Sequence, residues 1–397
     1  MPIDSHDSHS QAASGDSWGW LLLGVSIWCG LFGYATWHGL AMTSDSWNYV
    51  GAAKSLTATG QLRNANGTLY TAWPPLFPVV LALWTKFLPF GWKWLQGGCL
   101  VVSLLLWGCL GQQLLTHRLL IRLYILVLAF STPWLMCGGF LWSEPLFILL
   151  LSGYLYALHR YSKSGKVSLL LWATACGMLL PLQRASGFFV LAGVGLGVAV
   201  VYPAAAWRRR WLLLAHGLLT VGAGCVWQYY TLVVAAARDL QAVRGWDVGV
   251  QAATDFGHAM GRWLTPLTAQ AVQGYGVYAM LFMLLIAIGL AVPGPRFLRL
   301  LGVMVPVVLL PLVPLAWLGQ SGAGLTDADR YTAVMHAPFF LLLFAQVQRV
   351  LASQSQRRQQ LIILLGFCWL VYPAARVVRN SIFLHQKSLT VSGRIRE

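Results

Sequence analysis

Long apolar blocks recur along almost the whole chain, and they constrain the fold more than any other feature of the sequence. A helix needs about 20 apolar residues to cross a bilayer, with a workable range of about 17–25. Blocks that meet or approach this length run approximately over 18–40, 94–115, 120–136, 143–160, 167–183, 186–207, 211–237, 273–292, 297–318, 333–351 and 360–376. The sequence therefore predicts an all-α polytopic membrane protein with about eleven transmembrane helices.

The composition agrees with a membrane location. Hydrophobic residues make up 58% of the chain and charged residues only 10%, whereas soluble globular domains carry about 25% charged residues. No segment is long or polar enough for a soluble catalytic domain. The net charge of +16 would suit a nucleic-acid partner, but the basic residues lie between apolar blocks and no nucleic-acid-binding motif accompanies them. We therefore expect membrane lipids, and no nucleic acid, as partners.

The polar segment 1–17 predicts a disordered cytoplasmic tail. It lacks a basic start, and the apolar block after it is too long for a cleavable signal peptide. His6 and His9 in this segment are metal-binding residue types, although a disordered tail is the simpler interpretation. The seven cysteines form no CxxC pair, so neither a disulfide framework nor a zinc site is predicted. We expect these cysteines to be buried and to pack as small apolar side chains. They are Cys29, Cys99, Cys109, Cys137, Cys176, Cys225 and Cys368.

The segment 75–90 decides the sidedness of the chain. It is short, begins with Pro residues and contains Lys86, so we interpret it as a helix in the membrane interface rather than a span. With eleven spans, one set of short loops then contains basic residues and no acids, as cytoplasmic loops do. These basic residues are Arg118, Arg122, Arg160, Lys163, Lys166, Arg208, Arg209, Arg210, Arg296, Arg299, Arg349, Arg357 and Arg358. The prediction is a cytoplasmic N-terminus, a transmembrane domain over 18–376, and a short outer tail over 377–397.

Three long loops are expected on the outer face, over about 41–92, 238–272 and 319–332. Loops longer than about 12–15 residues in a compact protein are usually functional or disordered. In the first, Asp45 follows the first span directly. Its carboxylate is suited to general-base chemistry at the edge of the lipid, or Asp45, Ser44 or Ser46 caps the following helix. The local sequence leaves both interpretations open.

Three further ionisable residues lie next to hydrocarbon at the outer ends of predicted spans, where a charge is costly and therefore a functional candidate. Glu144 opens the fourth span in a good helix-start sequence, Ser143-Glu144-Pro145. Arg184 lies between two spans and either binds phosphate or extends to the interface. Arg330 either binds phosphate or pairs with Asp327 or Asp329. Together these residues predict a site on one face that holds a lipid phosphate and activates a nucleophile.

The order of these segments resembles the GT-C superfamily of polyprenyl-phosphate-sugar-dependent glycosyltransferases. The similar segments are SDSWNYVGAAKSLTATGQL, WPPLFPVVLALWTKF, SEPLFILL, QRASGF and DRYTAVMHAPFFLLL. They cover about residues 18–210 and the region around Arg330. The types that the chain is most similar to are the bacterial protein-mannosyltransferase-like enzymes and the lipid A aminoarabinose transferases. The resemblance implies a GT-C-like fold with two juxtamembrane helices in the first outer loop, at about 46–59 and 75–90.

The resemblance also implies roles for particular residues. Asp45 occupies the position of the family's catalytic base, with Tyr49 and Glu144 as supporting residues. Arg184, together with Arg330 and Tyr331 of the late Arg-Tyr motif, occupies positions associated with the donor phosphate. Many members carry a second acid after the base, where this chain has Ser46, and a large C-terminal soluble domain is missing from the sequence.

The function implied is the transfer of a sugar, with inversion, from a polyprenyl-phosphate donor to a hydroxyl of a lipid, glycan or protein acceptor. It would take place on the extracytoplasmic face of a bacterial inner membrane. No cofactor is predicted; a divalent metal would have to bind through Asp45 with Glu144 or an outer-loop carboxylate, and no residue pattern requires one. Two other functions stay open, a lipid or solute transporter or flippase, and a non-catalytic membrane subunit.

Overall fold

A computed structural model of the chain describes residues 14–64, 66–88, 91–202, 210–235, 245–266, 294–318 and 325–396. These residues are helical apart from short connections and two isolated β-bridges, Ala41–Phe140 and Arg63–Leu69. The helices in chain order are α1 (Ser14–Ala35), α2 (Ser44–Thr59), α3 (Leu76–Phe87), α4 (Trp92–Leu114), α5 (Arg118–Ala129), α6 (Thr132–Gly139), α7 (Glu144–Ser164), α8 (Val167–Gln183), α9 (Gly187–Val201), α10 (Arg210–Tyr229, continued by a π-helical turn Tyr230–Val234), α11 (Trp246–Leu264), α12 (Arg296–Leu309), α13 (Leu312–Trp317), α14 (Leu325–Ala333), α15 (His336–Ala352), α16 (Gln356–Trp369) and α17 (Val371–Arg396).

The described residues form an all-α, polytopic membrane fold, as the sequence predicts. Six helical segments are long and apolar enough to cross a bilayer, and a seventh is added if a pair bent by 61° counts as one span. The six are Trp18–Ala35, Trp92–Leu114, Arg118–Gly139, Trp211–Val234, Arg296–Trp317 and Gln356–Ser388, and the bent pair is Asp327–Ala333 with His336–Ala352. Helices α8 and α9 are apolar but shorter than 18 residues. The predicted span 273–292 lies outside the described residues.

Helical structure extends into segments that the sequence analysis assigned to loops or tails. Helix α11 lies within the predicted outer loop 238–272, and α14 occupies the end of the predicted loop 319–332. Helix α17 continues to Arg396, through most of the segment expected as a C-terminal tail. All three are amphipathic rather than uniformly apolar, which is why a search for apolar blocks does not find them. Of the predicted disordered tail 1–17, residues 1–13 lie outside the described residues, and residues 14–17 are helical as the start of α1.

The juxtamembrane helices form where the sequence places them. Helix α2 begins at Ser44 and α3 at Leu76, close to the predicted starts at 46 and 75, and the two helices pack against each other. Helix α2 ends at Gly60, whose φ of +73° is a left-handed conformation that glycine adopts without steric cost. The segment predicted as the first outer loop therefore contributes a pair of packed helices, a platform beside the bundle.

Small residues bring neighbouring helices into close contact inside the bundle. A β-carbon on Gly193 of α9 would lie 2.9 Å from the Met304 Cα atom of α12. One turn further along, a β-carbon on Gly197 would lie 3.0–3.3 Å from atoms of Leu300. This is the small-xxx-small arrangement that membrane helices use, since dispersion contacts replace the hydrophobic effect between helices in lipid.

The cysteines differ from expectation in their burial. All seven are free thiols, but only Cys99 and Cys137 are buried, and Cys109 and Cys176 are partly buried. Cys29, Cys225 and Cys368 are exposed on the outside of the bundle. The prediction of buried positions was wrong for these three because an apolar helix in a membrane protein also presents side chains to lipid.

Candidate active site

Four charged residues from distant parts of the sequence meet at one end of the bundle. Asp45 lies in the first turn of α2, Glu144 begins α7, Arg184 follows the last residue of α8, and Arg330 lies in α14. Because α7 and α8 form an antiparallel hairpin, the start of the former and the end of the latter lie at the same end. The sequence analysis assigned all four to one face, and the structure brings them into direct contact.

Asp45 is not the residue that caps α2. Thr43 is the N-cap, and it forms a capping box with Ser46, each side chain bonding the other residue's backbone N–H. The Asp45 carboxylate instead accepts a hydrogen bond from Nη1 of Arg330 at 2.9 Å. The Asp45 side chain is 22% exposed, so it is both held by an ion pair and accessible to solvent. Of the two interpretations left open by the sequence, the capping role of Asp45 is therefore wrong.

Glu144 is the centre of the cluster and is fully buried. Its Oε1 atom accepts from Nη1 of Arg184 at 2.7 Å and from Nε of Arg330 at 2.8 Å. A buried charge is tolerated only when it is paired in this way. The other carboxylate oxygen, Oε2, is buried and has no hydrogen-bond partner in the described structure. An unsatisfied acceptor of this kind calls for an explanation, such as a ligand that donates to it.

The Arg184 side chain points into the protein and does not extend to the lipid interface. In addition to Glu144, its Nη1 atom donates to Oγ of Ser143 at 2.8 Å. Its guanidinium carbon lies 5.3 Å from the centre of the Tyr331 ring, within the range of a cation–π contact. Its side chain is 14% exposed. The interface-seeking alternative for Arg184 was therefore wrong, and Tyr331 lies at the same site through this contact.

Arg330 bridges the two carboxylates. Its guanidinium carbon stacks 4.2 Å from the centre of the Trp142 ring, and Nη1 also lies 3.5 Å from Asp327. The sequence analysis considered Asp327 or Asp329 as its main partner. The shorter contacts are with Asp45 and Glu144, and Asp329 pairs instead with Nη2 of Arg262 at 2.6 Å. The predicted pairing with Asp327 is therefore present as a longer contact, but Arg330 is buried rather than on the surface, and Asp329 is not its partner.

Tyr49 lies at the edge of the cluster. Its hydroxyl donates to Oγ of Ser143 over 3.5 Å, and its ring packs edge-on against Trp73 and Phe77. Burial, and after it the nearby Glu144 carboxylate, raise the pKa of Tyr49 to about 12. Tyr49 therefore stays a neutral hydrogen-bond donor at neutral pH, which suits a supporting position rather than proton abstraction.

The sequence analysis did not identify several residues that hold the cluster in place. Trp142 lies under Arg330, and its indole N–H donates to Thr43 Oγ1 at 2.9 Å. Gln96 donates to the Trp142 carbonyl and Gln183 to the Ser143 carbonyl, which fixes the chain just before Glu144. The sequence signal that could have identified Gln96 and Gln183 was a polar amide side chain within an apolar block.

A second group of polar residues anchors α14. The Arg262–Asp329 ion pair joins α11 to α14, and Tyr372 and Arg376 of α17 both donate to the Arg262 carbonyl. Arg330 follows Asp329 directly, so these contacts set the position of the guanidinium at the site. Arg262, in the predicted outer loop 238–272, thus helps to position Arg330. No sequence motif had indicated this role.

The described residues contain no group of three or more His, Cys, Asp or Glu side chains that could hold a metal ion. His6 and His9 lie outside the described residues. Asp45 and Glu144 are both engaged by arginine, and a metal bound between them would have to displace these ion pairs. The donor set at the site is therefore better suited to an anionic ligand than to a cation.

No protein-family model and no curated protein matches the chain. Solved structures that it resembles include two of ArnT from Cupriavidus metallidurans, one bound to undecaprenyl phosphate and one in the apo state. Sequence identity is 14% and the TM-score 0.47 in both cases, and the alignments cover 83% and 84% of this chain and 78% of the ArnT chain. ArnT is a lipid A aminoarabinose transferase, one of the types that the sequence resembles. At this TM-score the likeness carries no functional argument, and function has to be argued from the residues of this chain.

Proposed function

We propose that this integral membrane protein is a GT-C-type glycosyltransferase. It moves a sugar from a polyprenyl-phosphate donor to an acceptor hydroxyl on the extracytoplasmic face, and inverts the anomeric carbon. The observation that supports this most is the Asp45–Arg330 ion pair beside buried Glu144. It joins an accessible carboxylate to guanidinium groups at one end of the bundle, and guanidinium groups there are suited to binding a lipid phosphate.

Asp45 acts as the general base in this proposal. The acceptor hydroxyl gives its proton to Asp45 while its oxygen attacks the anomeric carbon from the side opposite the phosphate. The bond from the anomeric carbon to the phosphate oxygen breaks, and polyprenyl phosphate leaves with that electron pair. General-base catalysis of this kind contributes typically about 10²–10⁴-fold in rate. The first-turn position of Asp45 on α2 suits this role, since it is held by Arg330 but remains accessible.

Arg184 and Arg330 stabilise the departing phosphate. Guanidinium groups match phosphate oxygens in shape and stay charged at any relevant pH. Once Asp45 has taken a proton, its ion pair with Arg330 weakens, and Arg330 becomes available to the phosphate as negative charge develops there. This timing favours the transition state over the bound substrates, which is the requirement for catalysis.

Glu144 keeps the two arginines together and desolvated when the donor is absent. Its unpaired Oε2 atom would accept a hydrogen bond from a hydroxyl of the bound sugar or from the acceptor. An activated sugar that arrives on a lipid needs no nucleotide-binding domain in the enzyme. The gathering of charge at one end of the bundle is less suited to a transporter, whose substrate site lies near the bilayer midplane.

Imaging of the purified protein in lipid nanodiscs with undecaprenyl phosphate would test this function. We expect density for the phosphate against the guanidinium groups of Arg184 and Arg330, beside the Asp45 carboxylate. An Arg184→Gln/Arg330→Gln double variant should lose that density, while an Arg357→Gln variant at the opposite, predicted cytoplasmic side should keep it. Phosphate density at the Arg357 side, or none at the cluster under saturating lipid, would contradict the proposal.

A further inference from the structure

A groove between α1 and α4 opens on the side of the bundle, and the proposed reaction does not use it. Its volume is about 630 Å³, within the usual range of about 300–1,000 Å³ for ligand pockets. Residues of α1 and of the first half of α4, with Thr36 and Trp37 just beyond α1, form the wall. The wall is almost entirely apolar and aromatic, so an occupant has to be largely hydrocarbon.

Three glycines widen the groove although close helix packing does not require them. A β-carbon on Gly30, Gly33 or Gly98 would meet no atom within 4 Å. Neighbouring Gly97 differs, because its β-carbon would lie 2.7 Å from the Phe32 ring. Gly97 is thus explained by helix packing, whereas the other three leave empty space on the groove side.

One buried donor on the groove wall has no partner. Trp28 is 2% exposed, and its indole N–H makes no hydrogen bond to any described residue. The indole nitrogen can only donate, so a matching ligand must present an acceptor within its apolar part. The ring itself is fixed by stacking on Phe32 at 4.7 Å between centres.

The mouth of the groove is basic and aromatic. Lys93 stands in the first turn of α4 over the Trp94 ring, and no carboxylate pairs with it among the described residues. Trp37 and Trp94 flank the mouth and are 71% and 66% exposed. Tryptophans of this kind mark the interface level of a bilayer, and a lysine beside them attracts anionic headgroups.

We propose that the groove binds an anionic diacyl phospholipid from the surrounding membrane. One acyl chain fills the space left by Gly30, Gly33 and Gly98, its ester carbonyl accepts from the Trp28 N–H, and its phosphate lies beside Lys93. A polyprenyl tail has no acceptor to offer Trp28, because it is hydrocarbon. A transmembrane helix of a partner protein is a poorer match too, because its backbone carbonyls are bonded within the helix.

Native mass spectrometry would test the proposal on protein released from nanodiscs of equal parts phosphatidylethanolamine and phosphatidylglycerol. We expect one phosphatidylglycerol per wild-type chain to survive delipidation. Trp28→Phe keeps the ring but removes the donor, and should weaken retention about fivefold, the effect of one hydrogen bond. Lys93→Gln should reduce the preference for phosphatidylglycerol by a similar factor, and Gly33→Leu should abolish retention by filling the groove.

Gly19→Leu is the matched control, because Gly19 also lies in α1 and a β-carbon there also meets no atom within 4 Å. It lies outside the groove and should leave retention unchanged. Equal retention by wild type and Gly33→Leu would overturn the proposal. The proposal would also be overturned if undecaprenyl phosphate displaced the lipid and Trp28→Phe did not change lipid retention. That result would assign the groove to the polyprenyl tail of the donor. A change of oligomeric state in Gly33→Leu without lipid loss would indicate a partner helix instead. The inference is independent of the proposed transferase activity.

Discussion

At the scale of single residues, the site combines two acids and two arginines whose environments differ sharply. Glu144 is fully buried, and its contacts are with two guanidinium groups. Asp45 is partly exposed and paired with one. A buried carboxylate with two cationic partners is suited to holding a structure in place. A partly exposed carboxylate with one partner is suited to exchanging a proton with a substrate. The assignment of Asp45 as the base and Glu144 as the organiser follows from this difference.

Replacement of Asp45 by Asn tests the base directly. The variant keeps the shape of the side chain but cannot take up a proton, so transfer should fall by about 10²–10⁴-fold. Asp247→Asn, which changes an exposed acid in the first turn of α11, should be fully active. The measurement is sugar transfer in nanodiscs, with thermal stability of each variant as a check on folding. Near-normal transfer by a well-folded Asp45→Asn protein would rule out the base role.

Apart from the proposed contact of Arg184 with the phosphate, the Glu144–Arg184 pair should stabilise the folded protein. Removing one partner of a buried ion pair costs about 3–5 kcal/mol, because the other charge is left buried. Glu144→Gln and Arg184→Gln should each lower the resistance to unfolding by SDS, and the double variant should recover about 1–3 kcal/mol relative to the sum. Arg160→Gln, on the exposed opposite end of α7, should have little effect. Simple additivity of the two single variants would show that the pair is not energetically coupled.

At the scale of helices, the position of Asp45, the proposed base, depends on how α2 begins. Thr43 accepts from the Ser46 backbone and also from the Trp142 indole, so one hydroxyl ties the start of α2 to the ring beneath Arg330. The first turn of a helix frays most easily when its N–H groups are not capped. The capping box therefore serves the site by fixing the turn that carries Asp45.

Thr43→Ala should destabilise the start of α2 by about 0.5–2 kcal/mol, the usual cost of losing an N-cap. We expect transfer activity to fall while overall folding is retained, because the carboxylate is no longer held in place. Hydrogen exchange of the α2 amides measured by mass spectrometry should show faster exchange in the first turn only. Ser44→Ala, at an exposed neighbour outside the capping box, is the control and should behave as wild type.

Helix α14 owes its position to the contact with α11. The Arg262–Asp329 pair is only partly buried, so it contributes little to the free energy of folding. Its main role is to position α14. Arg262→Asp or Asp329→Arg alone should shift Arg330, and a displacement of about 1 Å can cost about 10²-fold in rate. The combined swap Arg262→Asp/Asp329→Arg should restore part of the activity. KM for the donor should rise in the single variants and fall back towards the wild-type value in the swapped protein. No recovery in the swapped protein would argue against a positioning role for this pair.

At the scale of the whole molecule, the chain places its chemistry at one end of an apolar bundle. Helices α2 and α3 form a platform beside that end, and α14 and α17 bring in residues from the last quarter of the sequence. The groove between α1 and α4 opens next to the same end, since Lys93 and Gln96 share the first turns of α4 and Gln96 bonds Trp142. A lipid-borne reaction benefits from such an arrangement, because substrates can arrive laterally from the bilayer.

The predicted orientation can be tested with inserted epitopes. An epitope after Gly67, in the exposed turn of the first outer loop, should bind antibody in intact spheroplasts. An epitope after Ser353, between α15 and α16, should bind only after permeabilisation. This outcome is expected because the short basic loops belong on the cytoplasmic side. The reverse labelling pattern would place Asp45 in the cytosol and end the proposal for an extracytoplasmic active site.

The class of fold and the candidate residues could be predicted from the amino-acid sequence alone. The length of an apolar block is a local property, and the bilayer thickness converts it directly into a helix that can span. The start of α2, the Glu144 helix start and the position of both arginines at the same end of the bundle as Asp45 followed from similarly local rules. Amphipathic α11 and α14 escaped those rules because their apolar faces are interrupted by polar positions.

The pairing of the charged residues, in contrast, depends on how the helices pack. Asp45 and Arg330 are separated by 285 positions, and Glu144 and Arg330 by 186, so no spacing in the sequence relates them. Arg330 had acids nearby in sequence, Asp327 and Asp329, yet its closer partners are distant ones. The physical reason is desolvation: a guanidinium buried by helix packing is stabilised most by the carboxylate buried with it, and burial is a property of the packed bundle alone.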